Sequence, residues 1–359
     1  MGEPGHRAVQ AVARLIAAGL VALPLSSVSA QISSPWFPFD TCLYLGNTIR
    51  GRQPGHLITA LDLRHNGRFW IQMAESADDG RSWQIAAVAA RDDAHDLWDP
   101  AVARLSDGSL LLEFHGGGVM TIMRSTDEGA HWTRVTVFLG RFSEGYWQPL
   151  PPAEPNGAPR LALLYAQTAI TQTSMYWVRT TTDGSQWSDA VFVGDAGGIW
   201  DGTRASLGPV ESDSGGIVHA VYSYRPTPTD SVRIMLATLD AHTLARRSPA
   251  DTLLTVDLPQ PWKGIGVFPV IAACPDGVHV IYDQHAPGAP VAVQALWEVT
   301  RDRQPKAFLI RGPMLTGFGR PWFVRLWSGV PQLSWPELPD GPHTKVFSLQ
   351  RPDLANCQV

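Results

Sequence analysis

Hydrophobic and polar residues alternate in short runs along most of this chain, and clusters of Gly, Pro, Asn and Asp separate the runs at regular intervals. A period of two predicts half-buried strands, not helices. The clearest stretch reads as strands over 99–105, 110–114, 119–124 and 134–139, joined by the turn Ser106-Asp107-Gly108-Ser109 and the glycines Gly116-Gly117-Gly118. Four strands joined this tightly make one antiparallel unit. The same order precedes it, with a leading strand near 36–45, then 56–63, the hairpin pair Asn66-Gly67, 69–75 and 83–90. It follows again from Trp147-Gln148-Pro149 through 161–165, 175–180 and 190–193. The later half keeps the layout with weaker spelling. A fourth unit spans 204–210, 217–224, 232–238 and 253–258, and a fifth spans 268–273, 278–282, 291–299 and 308–311. A sixth has strands over 322–327, 330–335 and 344–350, with its fourth strand missing or supplied by the N-terminal segment. Repetition of one small unit along a whole chain predicts an array built around it.

The third strand of the second unit runs into Ser125-Thr126-Asp127-Glu128-Gly129-Ala130-His131-Trp132, and that spelling recurs. Ser76, Asp78, Gly80 and Trp83 repeat it in register. Thr181, Asp183, Gly184 and Trp187 form a copy one residue shorter, and Thr238-Leu239-Asp240 a worn fourth. In such a turn an Asp carboxylate can accept backbone N–H bonds, Gly supplies positive φ, and the Trp closes over the strands as an apolar plug. The pattern S-x-D-x-G-x-x-W after a strand resembles the Asp box, or bacterial neuraminidase repeat, of the sialidase-like propellers. The resemblance covers essentially the whole chain after residue 30. It implies an all-β fold, a six-bladed β-propeller of four-stranded antiparallel blades, with the boxes on the outer rim and away from the site. Trp83, Trp132 and Trp187 are therefore expected to be largely buried at that rim.

Composition agrees with short strands and tight turns: 14 Trp, 33 Gly and 29 Pro, with only 17% charged residues. A net charge of −5 and the lack of a Lys/Arg cluster exclude nucleic acid and anionic membranes as expected partners. Carbohydrate or another small polar ligand, a monomeric state and no cofactor or metal are expected instead. Residues 1–30 read as a signal peptide, with Arg7 and Arg14, an apolar core over 15–25 and the small residues Val28-Ser29-Ala30 before the cleavage point. A propeller of residues 31–359 would then be secreted or periplasmic; the alternative is an uncleaved anchor. Export gives meaning to the three cysteines. A ring must bring its ends together, so a Cys42–Cys357 bridge across the closure is one expectation, and three reduced, buried thiols the other.

In a propeller the loops leading into the innermost strands converge on one face. Here they carry Trp98-Asp99-Pro100, Glu144-Gly145-Tyr146-Trp147-Gln148, Trp200-Asp201-Gly202 with Arg204, Trp262-Lys263 and Arg320-Pro321-Trp322. An aromatic beside a polar group suits a sugar, whose apolar ring face meets the aromatic while hydroxyls bond the polar group. Asp99, Glu144 and Asp201 are the candidate catalytic acids. Trp98, Tyr146, Trp147, Gln148, Trp200, Arg204, Lys263 and Arg320 are the candidate substrate-binding residues. Glycoside hydrolysis generally needs two carboxyl groups across the scissile bond. The sialidase resemblance implies a Tyr nucleophile and three arginines instead. Arg204 and Arg320 match two of these in type. Arg52-Gln53-Pro54 has the R-x-P shape of the third but falls on the opposite face, and 322–327 contains no Tyr. Exo-arabinanases on the same propeller resemble the third unit through a W-E-P segment. Here it reads Trp147-Gln148-Pro149, and Gln cannot shuttle a proton. Two functions remain: an exo-acting glycoside hydrolase, or a non-catalytic propeller that holds a glycan or a protein on the same face.

Overall fold

A computed structural model describes residues 32–33, 36–40, 42–168, 173–198, 205–210, 216–227, 230–256, 269–285, 293–300, 306–313, 322–337 and 343–359. Residues 1–30, read from sequence as a signal peptide, lie outside them. The architecture is all β, six antiparallel sheets set around a ring. Two short strands, β1 (Ile32–Ser33) and β2 (Trp36–Asp40), precede the first blade, which comprises β3 (Cys42–Arg50), β4 (Leu57–His65), β5 (Arg68–Ser76) and β6 (Gln84–Ala90). Blade 2 is β7 (Trp98–Arg104), β8 (Leu110–Gly116), β9 (Val119–Ser125) and β10 (Thr133–Leu139). Blade 3 is β11 (Arg141–Leu150), β12 (Arg160–Thr168), β13 (Thr173–Thr181) and β14 (Val191–Gly198). Blade 4 is β15 (Ala205–Val210), β16 (Ile217–Tyr224), β17 (Val232–Asp240) and β18 (Asp251–Val256), and blade 5 is β19 (Val270–Cys274), β20 (Gly277–His285), β21 (Val293–Val299) and β22 (Lys306–Pro313). Blade 6 has β23 (Trp322–Arg325), β24 (Pro331–Glu337) and β25 (His343–Gln350). Its outer edge is completed by β1 and β2, which pair antiparallel with β25 through Ile32↔Leu349 and Trp36↔Lys345. Of the two sequence expectations for this blade, the N-terminal segment is the one realised. First strands of neighbouring blades meet around the ring, β3 with β7, β7 with β11, β11 with β15, β15 with β19 and β23 with β3.

Blade packs on blade, so each second strand is covered on both faces. Leu110, Leu112 and Phe114 of β8 lie in a cluster with Ile58, Ala60, Ile71 and Met73 of blade 1. Leu111, between them, joins Leu161, Leu163 and Tyr165 of blade 3. That two-sided burial is why these strands read as continuous apolar runs. Each buried Leu contributes roughly 1.5–3 kcal/mol relative to exposure. Among the described residues no helix is long and apolar enough to cross a membrane.

The repeated turns share one hydrogen-bond pattern. Ser76 Oγ accepts the Gly80 N–H and donates to Asp78 Oδ1, both at 2.8 Å, while Asp78 Oδ1 accepts the Ser82 N–H at 2.8 Å. Ser125, Asp127, Gly129 and His131 reproduce it, as do Thr181, Asp183 and Gly184 in the shorter copy. The worn copy keeps only its Asp, whose Oδ1 accepts the His242 and Thr243 N–H groups at 2.9 Å. Gly80 and Gly129 sit at φ +86° and +94°, where a Cβ would be strained. The His131 N–H and then its ring hold the Asp127 carboxyl well below the usual carboxylate range. Trp132 and Trp187 donate Nε1–H to Gly129 O and Gly184 O, each at 2.9 Å. These rings and Trp83 are half-buried, less covered than the largely buried state that the sequence predicted. Each packs against the edge of a core cluster, Trp83 beside Leu61 and Ala74, Trp132 in the cluster of blades 1 and 2 and Trp187 in that of blades 2 and 3.

The disulfide also departs from expectation: Cys357 is bonded to Cys274, so it cannot bridge to Cys42. After β25 the chain makes a short turn at Pro352–Leu354 and runs beneath blade 5, where Gln358 exchanges two backbone hydrogen bonds with Ala273. That pairing sets Cys357 beside the end of β19. Strand addition by β1 and β2 closes the ring, and the bridge instead secures the tail.

Candidate functional site

The innermost strand of blade 2 begins irregularly. Trp98 pairs with His115 and Ala101 with Glu113, so Asp99 and Pro100 form a bulge between two regular pairs. Asp99 has φ +50°, a conformation that non-glycine residues adopt at a cost. The bulge brings its carboxylate to the His115 ring, Oδ2 to Nε2 at 3.5 Å, with the side chains 10% and 16% exposed respectively. Asp99 Oδ1 is buried without a hydrogen-bond partner among the described residues. Strained backbone of this kind concentrates at functional positions.

A second bulge lies in the adjacent innermost strand. The register of β11 shifts between Ser143 and Gly145, which places Glu144 at the irregular position. Directly across the seam stands Glu113, an acid absent from the sequence-level candidates. It is fully buried, and a Cβ on Gly145 would fall 2.0 Å from its Oε2, so its carboxylate lies against the β11 backbone. The signal was a single charge inside the apolar run Leu110 to Phe114. Asp62 of β4 is likewise fully buried, on the same strand face as Ile58 and Ala60. Acids thus flank β7 from both neighbouring seams.

Above this seam opens a cavity of about 370 Å³ lined by Trp98, His115, Arg141 and Phe142, among others. Trp98 stands at its wall with its ring 4.5 Å from that of Phe69. The other aromatic and amide candidates of blade 3 are engaged elsewhere. Trp147 is 4% exposed, donates Nε1–H to Ala101 O at 3.1 Å and belongs to the core between blades 2 and 3. Tyr146 points the other way and packs on the core between blades 3 and 4. Gln148 lines a separate cavity of about 500 Å³ with Arg325, Gln358 and Val359. Strand alternation explains all three: beyond the bulge, β11 descends between its neighbours, and successive residues enter one seam, then the other. Trp200, Asp201, Arg204, Lys263 and Arg320 lie outside the described residues, as does the side chain of Glu144. Arg52 sits beside the second repeated turn, 3.0 Å from Glu128, on the face opposite Asp99. Cys274, Asp276 and His279 have metal-ligand proximity, but the Cys274 sulfur is committed to the disulfide.

No family model matches the chain, and no curated protein matches it in sequence. Solved structures do match. The α-L-arabinofuranosidase of Fusarium graminearum, solved with arabinobiose, superposes with a TM-score of 0.60 at 13% identity, covering 90% of this chain and 98% of that one. The NanB sialidase of Streptococcus pneumoniae gives 0.56 at 11% identity, covering 88% and 69%. The fold is the sialidase-like six-bladed propeller. A Dyadobacter fermentans protein of unknown function shares this propeller, with a TM-score of 0.61 at 14% identity over 89% and 97% of the two chains. On this propeller Glu113 lies in the seam between blades 2 and 3, and Asp99 sits at the bulge that begins the innermost strand of blade 2.

Proposed function

We propose that the protein is an exported glycoside hydrolase of the sialidase-like propeller type, exo-acting, with Asp99 as the residue that transfers the proton at the glycosidic oxygen. The observation that carries the reading is the bulge at Asp99, which accepts backbone strain to hold a nearly buried carboxylate with one oxygen facing His115 and the other buried without a hydrogen-bond partner among the described residues. His115 orients the carboxyl. Glu144, at the bulge of the adjacent strand, is proposed as the second carboxyl, with Asp201 as its counterpart in blade 4. Trp98 and Trp200 would supply the apolar face for the sugar. The solved neighbours are glycoside hydrolases, which supports the class. The disulfide supports an oxidising compartment and hence export.

The test is Asp99→Asn on a panel of chromogenic glycosides that includes α-L-arabinofuranosides and sialosides. Turnover should fall by about 10²–10⁴, the usual worth of a positioned acid or base. The melting temperature should stay within a few degrees, since Asn tolerates the same φ. A variant with full activity on a substrate the wild type cleaves would remove Asp99 from the reaction. A wild type that binds glycans on this face and turns none over would be the binding propeller instead.

A further inference from the structure

The cavity beside Trp98 is built from four loops, and its lining is neither a sugar site of the neutral kind nor an ordinary surface hollow. Its walls are aromatic: Trp98 is braced by Phe69, and Phe142 by the Tyr165 ring at 5.7 Å. The turn Gly116-Gly117-Gly118 also lines it. A Cβ on Gly116 would meet Asp96 O at 2.5 Å, and one on Gly117 the His95 ring at 3.2 Å, so the turn lies flush on these residues and sends nothing into the space. Braced aromatic faces around an open hollow suit a sugar ring.

The charges decide which sugar. Asp96 is taken up by the Phe69 N–H at 3.0 Å and by Arg68 at 3.8 Å. His95 is held by Asp92 at 3.1 Å, and His115 faces Asp99. Arg141, at the head of β11, has no carboxylate partner among the described residues and is exposed on the cavity wall. A guanidinium is a planar fork of donors that matches a carboxylate. The cavity therefore offers aromatic walls and, among the described residues, a cation with no carboxylate partner in Arg141. His115 belongs both to its lining and to the Asp99 pair, which joins the two sites.

We infer that this cavity is a subsite for a uronic acid unit, its carboxylate on Arg141 and its ring on Trp98, adjacent to the sugar on which Asp99 acts. The substrate is then an acidic oligosaccharide. This rests on the glycosidase reading only for the role of Asp99; binding itself is independent of turnover.

The test uses trimers of galacturonate, glucuronate and mannuronate beside their methyl esters, which keep the shape and lose the charge, with affinities measured by titration calorimetry. The wild type should bind at least one free acid about tenfold more tightly than its ester, the lower range for a hydrogen bond to a charged group. Raising salt should narrow that gap. Arg141→Gln should abolish the preference without lowering the melting temperature, and Asp99→Asn should keep it. Equal affinity for acid and ester in all three pairs, or a preference that survives Arg141→Gln, would overturn the subsite. Neither result bears on whether Asp99→Asn loses turnover, so the two readings fail separately.

Discussion

Removing the Cys274–Cys357 bridge should cost stability by an amount the structure bounds. The bonded residues are 83 positions apart, and closing a loop of that length removes unfolded-state entropy worth about 4.5 kcal/mol at 25 °C. Unfolding entropy near 2.1 cal/mol/K per residue gives about 0.7 kcal/mol/K for a chain of this size, so the ceiling on the shift is about 7 °C. Residual structure in the unfolded chain lowers the measured value, and a drop of about 3–7 °C is expected for Cys357→Ser. The assay is thermal unfolding with and without a reducing agent in wild type and in each of the three Cys→Ser variants. Reduction should lower the transition of wild type and Cys42→Ser equally and leave Cys274→Ser and Cys357→Ser where they are. Thiol titration of the unfolded, unreduced protein should find one group. A Cys42→Ser protein that no longer responds to reduction, or a count of three thiols, would refute the reasoning.

Two further outcomes follow from the seams and the tail. Gly145→Ala sets a Cβ 2.0 Å from Glu113 Oε2 and should cost about 1–3 kcal/mol in denaturant unfolding, with Glu113→Ala restoring part of the loss in the double variant; strictly additive costs would show that the two sites do not touch. The second outcome concerns pH. The tail is tied down by Arg351, which bonds Glu298 at 2.8 Å, while Glu298 in turn bonds His279. The hydrogen bond to Glu298 raises the His279 pKa against its burial, so this stabilisation is complete below about pH 6.5 and is lost as pH rises through the raised value. Burial works to raise the Glu298 carboxyl, but His279 and Arg351 outweigh it and hold it low, so its contribution is present above about pH 4.3 and lost as pH falls through the depressed value. Melting temperature against pH should therefore decline on the alkaline side in wild type and much less in His279→Gln; parallel curves would rule the network out as the cause.

Strand order and blade number were legible because alternation, turn residues and the Ser-Asp-Gly-Trp spelling are local properties of the chain. The cavity lining was legible only where a residue sits above the level at which blades touch. Trp98 and Trp147 look alike in sequence, each an aromatic beside a polar residue leading into an innermost strand. Trp98 lies at the start of its strand and reaches the cavity wall, whereas Trp147 follows the bulge and lies within the seam. How far a strand runs before it is covered is set by its neighbour, which no local pattern records. Glu113 was hidden for the same reason: a charge in an apolar run gains meaning only from Gly145 in the next blade. The cysteine pairing depended on the path of the tail, whose contacts with Ala273 are distant in sequence.

The pairing of β1 with β25 has a consequence for how the protein is made. Ile32 is made well before its partner Leu349, so the ring cannot shut until Leu349 has been made. Blades can form in order from local hairpins, but the molecule stays an open arc, with the outer edge of the sixth sheet unpaired, until β25 has been made and β1 and β2 swing onto it. An open strand edge is a template for other chains. Newly made copies at high concentration should therefore associate through that edge, exchanging N-terminal strands between molecules, and dilution or slow expression should favour the closed monomer.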